Sequence, residues 1–444
     1  MKLIVSITTV CYFLCSLPVL AIINNEVGKL EDNIDKAMPA LSALYLELHQ
    51  APELSLQEKQ TSKVMASQLE ALGFDTTENV GGYGVVGLYK NGQGPTVMIR
   101  TDTDGLPIVE QTGKSYASKV TTIDKNNNKV GVMHGCGHDI HMTSFIGAAE
   151  QLIQMKQHWQ GTLMMVAQPA EEVGAGAKAM LKAGLFERFA KPDHVLGLHV
   201  SAALPAGKIG IAPGYALANV DSVDITVKGK GGHGAYPHTT VDPVVISARI
   251  VMALQTIASR EISPLEPSVI TVGSIHGGSK HNIISDQVTL QLTLRSYNQA
   301  VRTQQIAAIK RITKGIAISA GLSEAFYPSV YIQDENTPST YNNPELAKKV
   351  KQSIVKELGE DSVLVSQPVM AGEDFGRYGL TADKLPITIF WLGAVANEEY
   401  EQSIQENKRL PSLHSSQFAP DYPLTIKTGV RAMTASALDL FAKK

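Results

Sequence analysis

Leu163-Met164-Met165-Val166-Ala167-Gln168-Pro169-Ala170-Glu171-Glu172 is the stretch from which the fold is read. Five apolar residues run without a polar break into a glutamine, a proline and two carboxylates. A short apolar run of this kind reads as a strand. Chemically capable residues immediately beyond it mark the carboxyl edge of an open α/β sheet, where ligands bind. The pattern recurs along the chain. Strands are predicted at 82–89, 95–101, 195–200 and 387–392; Asp102-Thr103-Asp104 follows the second of these and His199 lies at the end of the third. Apolar residues at helical spacing predict helices over 33–50 and 58–73, the latter closing at Gly73.

From about 213 to 331 the texture changes. Strand 222–228, helix 243–259, strands 268–275 and 287–295, helix 302–320 and strand 329–332 follow in turn. This β-α-β-β-α-β order predicts a ferredoxin-like α+β sandwich inserted into the larger α/β domain. Pro213-Gly214 and Asn336-Thr337-Pro338 are the expected joints. The division expected is a leader over 1–21, the first part of the α/β domain over 22–212, the insertion over 213–333 and the second part over 334–444.

The composition is that of an ordinary globular protein, 44% hydrophobic and 18% charged over 444 residues. A net charge of -3 with no basic run excludes an electrostatic footprint for nucleic acid. Met1-Lys2 precedes an apolar run to about Leu20, and Val19-Leu20-Ala21 offers a cleavage site before Ile22. These features predict a secretory signal peptide, hence an exported, periplasmic or secreted protein with no membrane contact after cleavage. An uncleaved anchor is the competing reading, weakened by the short run and by Pro18. Cys11 and Cys15 leave with the leader, so Cys136 stands as a lone thiol without a disulfide partner. In an oxidising compartment such a thiol has to be buried or bound to metal.

Its neighbours favour metal. In His134-Gly135-Cys136-Gly137-His138-Asp139-Ile140-His141 the thiol and His138 stand two residues apart and project the same way from an extended loop. Thiolate and imidazole suit zinc, manganese or nickel-type ions, and the flanking glycines let the backbone approach. Glu171 and Glu172 point to opposite sides, so one can bind metal while the other faces a metal-bound water. His199 at a strand end and His414 in Leu413-His414-Ser415-Ser416 are weak signals alone. Together Cys136, His138, Glu172, His199 and His414 supply enough donors for two neighbouring divalent ions sharing one bridging ligand.

The same residues resemble a known family, the aminoacylase and carboxypeptidase-type metallopeptidases, and most closely their amidohydrolase branch. That branch includes hippurate hydrolases and indole-acetyl-amino-acid hydrolases. The resemblance spans nearly the whole mature chain. It rests on Leu48-His49-Gln50-Ala51-Pro52-Glu53-Leu54-Ser55, on Arg100-Thr101-Asp102-Thr103-Asp104-Gly105-Leu106-Pro107, on the 134–141 motif and on 168–172. It continues through 197–200, Gly229-Lys230-Gly231-Gly232-His233-Gly234-Ala235-Tyr236-Pro237-His238, Ala371-Gly372-Glu373-Asp374-Phe375 and Leu413-His414. The resemblance implies a di-metal catalytic domain with an inserted lid and dimerisation domain, working as a homodimer or higher oligomer. It implies that Cys136 bridges two ions (manganese, zinc, cobalt or nickel), with His138, Glu172, His199 and His414 completing the site. Glu171 is then the catalytic carboxylate, His233 steadies the oxyanion, in its own subunit or reaching into the partner's, and Asn282 and Arg295 hold the substrate carboxylate. The peptidase branches place His-x-Asp where this chain has Arg100-Thr101-Asp102, which points to the amidohydrolase branch and leaves Asp102 and Asp104 to support the ligands.

The activity implied is hydrolysis of the amide bond of N-acyl amino acids or similar small conjugates. A dipeptidase or carboxypeptidase, an N-acetyl diamino acid deacetylase, a non-catalytic relative and, in a different class, a periplasmic solute-binding protein are the alternatives.

Overall fold

The computed structural model describes residues 17–442, with side chains described from Leu30 onward. The leader expected over 1–21 therefore lies, for its first sixteen residues, outside the described part; the rest opens a helix. In chain order the elements that build the larger layer begin with helices α1 (Leu17–Gln50) and α2 (Lys59–Ala71). Strands β1 (Asp75–Thr77), β2 (Val85–Asn91) and β3 (Thr96–Asp102) follow, then α3 (His138–Gln154), β4 (Gly161–Gln168), β5 (His194–Pro205) and β6 (Ile209–Ile211). The inserted elements are β7 (Asn219–Lys228), α4 (Pro243–Thr256), β8 (Ser268–Gly277), β9 (Gln287–Ser296), α5 (Gln299–Ser319) and β10 (Ser329–Thr337). The chain returns through α6 (Pro344–Leu358), β11 (Val363–Val365), β12 (Ile387–Val395) and α7 (Tyr422–Phe441).

The large sheet has the order β1-β2-β4-β3-β5-β12-β6-β11. Its central strands β4, β3, β5 and β12 are mutually parallel, so their carboxyl ends point the same way. The apolar runs explain the burial: β3 and β4 are buried at all but one position each, as strands covered on both faces must be. Helices α1, α3, α6 and α7 cover one face through a cluster that includes Ile34, Tyr45, Phe145, Leu152, Ile354 and Val430. Met98, Val166, Val195, Phe375 and Tyr378 fill the other. Helix α1 starts well before residue 33, where the helical spacing placed it. β2 starts at Val85 because the glycine-rich 81–84 segment forms a turn.

The inserted sheet has the order β8-β9-β7-β10 and is antiparallel throughout. With α4 and α5 packed over Val223, Ile225, Leu254, Leu290 and Ile309, it is the ferredoxin-like sandwich that the element order predicts. β10 runs on through Thr337, past its expected end at 332. Where the chain leaves and re-enters the large layer, Gly214–Leu217 pairs antiparallel with Thr340–Asn342. Among the described residues no helix is long and apolar enough to cross a membrane.

Candidate metal centre

The carboxyl ends of the parallel strands converge on one cleft of about 420 Å³, closed on its far side by the inserted sheet. β3 delivers Asp102 and, just beyond it, Asp104; β4 delivers Glu171 and Glu172; β5 carries His199 beside Trp391 of β12. Helix α3 aims its first residue, His138, at the same place. Gly137 makes this possible: it caps α3 at φ 77°, and a Cβ there sits 2.6 Å from Val200 Cγ2. Two non-glycine residues also hold left-handed backbone at the cleft, Ala170 (φ 53°) before Glu171, and His414 (φ 64°). Such positions persist only where surrounding bonds hold them. Glu58 Oε1 accepts from Ala170 N at 2.7 Å, and His414 N donates to Gly135 O at 2.8 Å.

Hydrogen bonds settle which ring nitrogens face the cleft. His138 Nδ1 donates to Asp104 O at 2.8 Å and His199 Nδ1 to Val200 O at 2.8 Å. Each ring therefore keeps its proton on Nδ1 and turns an Nε2 lone pair inward, as a metal-binding imidazole requires. His199 Nε2 lies 3.5 Å from Cys136 Sγ, His414 Nε2 3.3 Å from the same sulfur and 3.5 Å from Glu172 Oε1. His138 Nε2 lies 3.9 Å from Glu172 Oε1, and both of these atoms are buried without a hydrogen-bond partner. Unpaired buried donors and acceptors are costly. A lone pair, a carboxylate oxygen and a thiol sulfur facing one gap fit a divalent cation. Two donor groups share Cys136: one with His138 and His199, the other with Glu172 and His414.

Charge tells the same story. Burial, with Glu172 and Glu171 next, pushes the Cys136 thiol up. Burial, Glu373 and Glu172 hold Glu171 well above the usual carboxylate range. Burial, with Asp104 adding to it against the pull of His138, raises Glu172 to about 8. Burial disfavours a second proton on His138, but Asp102 and Asp104 outweigh it and raise its pKa to about 10, so without metal Nε2 holds a proton that a bound cation displaces. Burial and His141 lower His199, and burial and His138 lower His414. Anionic donors gathered in a low-dielectric cleft need positive charge.

Three residues that look like donors have their atoms engaged elsewhere. His141 donates from Nδ1 to Asp102 Oδ1 at 2.6 Å and accepts from Val200 N at Nε2, 2.8 Å away, so it has no lone pair left for an ion. Asp102 Oδ2 takes Arg100 Nη1 at 2.8 Å. Asp104 accepts from Glu171 N at 3.1 Å through Oδ1, and from Glu172 N at 3.0 Å and Ser55 Oγ at 2.6 Å through Oδ2. That carboxylate therefore sets the backbone of the two glutamates. Sequence reasoning did not reach the fully buried Arg100 hub, in which the guanidinium also bonds Glu373 at 2.9 Å, Asp374 at 3.2 Å and Gln168 at 3.0 Å. The Ala371–Phe375 motif was the available signal, but nothing local ties it to a residue 273 positions away.

The remaining expected site residues divide. Arg295 lines the cleft, half-buried, bonded to Thr293 Oγ1 at 3.1 Å and Met370 O at 3.5 Å and, among the described residues, to no carboxylate. His233 and Asn282 do not line it. Both are exposed on a small ribbon of the insertion, where His233 pairs with Ile283 and Asn282 O accepts from Gly234 N at 2.9 Å.

Glu58 behind the cleft supplies a pH test. Burial, with Asp104 adding to it, raises its pKa from 4.5 to about 7. A carboxyl raised on folding contributes stability below its unfolded pKa, and that contribution is lost as pH rises through the folded value. Relative to Glu58→Gln, the native chain is expected to lose about 3 kcal/mol between pH 4.5 and just above 7. Urea midpoints of both chains across that range check it; a constant difference counts against it.

Residues 98–416 match the model of peptidase family M20/M25/M40. The chain belongs to this family. Among relatives of this M20 protein, thermostable carboxypeptidase 1 of Saccharolobus solfataricus is 36% identical over 402 residues, 89% of this chain and 94% of that one. IAA-amino acid hydrolase ILR1-like 2 of Arabidopsis thaliana is 37% identical over 337 residues, 76% and 73% of the two chains. A solved dinuclear metal-binding M20 peptidase of Bacillus subtilis superposes with a TM-score of 0.72 at 28% identity, covering 92% of this chain and 100% of that one. The expected family and its amidohydrolase branch are thereby borne out, and the M20 chain is a metal-dependent amide hydrolase using a divalent ion. The solute-binding alternative finds no support.

Proposed function

We propose that this M20 hydrolase is exported and cleaves the amide bond of N-acyl amino acids, with two divalent ions held by Cys136, His138, Glu172, His199 and His414. The observation that carries the reading is the pair of donor groups sharing Cys136, with Glu171 within 4.8 Å of both His138 and Glu172. Divalent ions in such a set supply an acidified water and a Lewis acid. Glu171 would accept a proton from the attacking water as the C–O bond forms at the acyl carbon and would return it to the departing amine nitrogen as the C–N bond breaks. Arg295, with its guanidinium free of carboxylates, receives the substrate carboxylate as a fork of donors. Leu217, Val220 and Trp391 give the acyl part an apolar wall. The thiolate and imidazoles suit zinc, cobalt and nickel and the Glu172 carboxylate suits manganese, so these four are the ions to try. The charged start and apolar run of residues 1–20 support export.

The test is amine release from benzoyl, indolyl-acetyl and acetyl amino acids by the mature protein, stripped with chelator and reloaded with each ion. Metal-dependent release supports the reading; metal uptake without release from any of them counts against it. A dipeptidase or carboxypeptidase shares the chemistry, and dipeptides in the same panel separate it.

His233 and Asn282 enter through a partner subunit in this reading, because within one chain they stay outside the cleft. Mixing inactive His233→Ala with inactive Glu171→Ala subunits is expected to restore activity to heterodimers holding one intact site. Verified heterodimers without activity remove His233 from the partner's site.

A further inference from the structure

We propose that His49 is a positioning residue for the metal centre, holding the His138 side and the His414 side in register from behind. The proposal rests on the five-donor reading above. The ring is 2% exposed, sits in the last turn of α1 and takes no part in the chemistry described. Nδ1 lies 2.6 Å from Asp139 Oδ2 and Nε2 lies 3.2 Å from Glu110 Oε1, so the ring donates to a carboxylate on each side. The carbonyl end of α1 meets the amide end of α3 here. A cation at the first and an anion at the second is the arrangement that helix dipoles favour.

Each carboxylate leads to a different part of the donor set. Asp139 follows His138 directly, and its Oδ1 accepts from Ile140 N at 2.9 Å, which fixes the first turn of α3. Glu110 is tied by Ser118 N at 2.6 Å. The next residue, Gln111, donates from N to Ser416 O at 2.8 Å, two positions beyond His414. A continuous run of bonds therefore links the His138 turn to the His414 loop, and His49 is the cation in its middle. Without that cation two carboxylates face one another in a buried gap. Small displacements of a ligand cost metal affinity, and partners behind metal ligands carry much of that control.

The experiment uses the full chain with His49→Gln and Glu110→Gln, alone and combined, loaded with cobalt. Cobalt affinity by chelator competition, the cobalt absorption spectrum and the thermal midpoint of the metal-free protein are measured together. His49→Gln is expected to weaken cobalt binding about 10–100-fold and to alter the ligand-field bands. Glu110→Gln moves both in the same direction, and the double variant is no weaker than His49→Gln. A lowered midpoint with native affinity and spectrum makes His49 structural only and overturns the proposal. If His49→Gln does not fold, Glu110→Gln, which keeps the His49–Asp139 pair, decides: native affinity and spectrum there overturn it. Native protein that takes up no cobalt sinks the five-donor reading instead, a result distinct from either.

Discussion

Glu171→Gln is expected to lower turnover of the metal-loaded enzyme by about a thousandfold while leaving its metal content unchanged. The side chain is 7% exposed, and glutamine has nearly its shape. The backbone of Glu171 is set by Asp104, which bonds its amide at 3.1 Å, so the loop has no reason to move. What is lost is the ability to accept and return a proton. Burial, Glu373 and Glu172 raise the proton affinity of this carboxyl, and the cations of the loaded site oppose that rise. A carboxylate in this position can take a proton and return it, which an amide cannot do. Initial rates on an N-acyl amino acid, with metal content measured on the same sample, check both halves. A variant with near-native turnover removes Glu171 from the reaction.

Cys136→Ala is expected to abolish activity by emptying the site. Cys136 is common to both donor groups, so its loss touches every ion the cleft can hold. Loss of a partner behind a ligand costs about 10–100-fold in metal affinity, and removal of a shared ligand is expected to exceed that range. Equilibrium dialysis of the variant against zinc and cobalt measures it. Affinity within threefold of native contradicts the shared-ligand role. Alanine in place of the buried thiol leaves only a small void beside His199 and His414, so the fold is expected to survive.

Glu171 and Cys136 are legible in the sequence because their signals are local. Cys136 and His138 stand two apart between glycines, and Glu171 and Glu172 follow an apolar strand directly. The parallel core was readable for the same reason, since β3, β4 and β5 each run from apolar residues into polar ones at the sheet edge. The antiparallel insertion showed itself in its element order. What escaped has no local mark. Arg100 meets Glu373 across 273 positions, and His49 meets Asp139 across 90. The three histidines of the 134–141 motif look alike in sequence, yet only the bonds made by the ring nitrogens separate His138, with a free lone pair, from His141, with none. His134 is buried with neither ring nitrogen bonded, and nothing in the fold assigns it a task. Helical spacing becomes clear only from residue 33, and the first residues of α1, from Leu17, fall within the apolar run that reads as a leader over 1–21.

In the proposed centre five side chains from four separate regions hold metal around one thiolate. Anomalous diffraction from crystals of the zinc-loaded protein, measured on both sides of the zinc edge, tests it most directly. Two peaks are expected flanking Cys136 Sγ, one within bonding distance of His138 or His199 and the other of Glu172 or His414. Peaks at Asp102 and His141, or at Glu373 and Asp374, with none beside Cys136, contradict it.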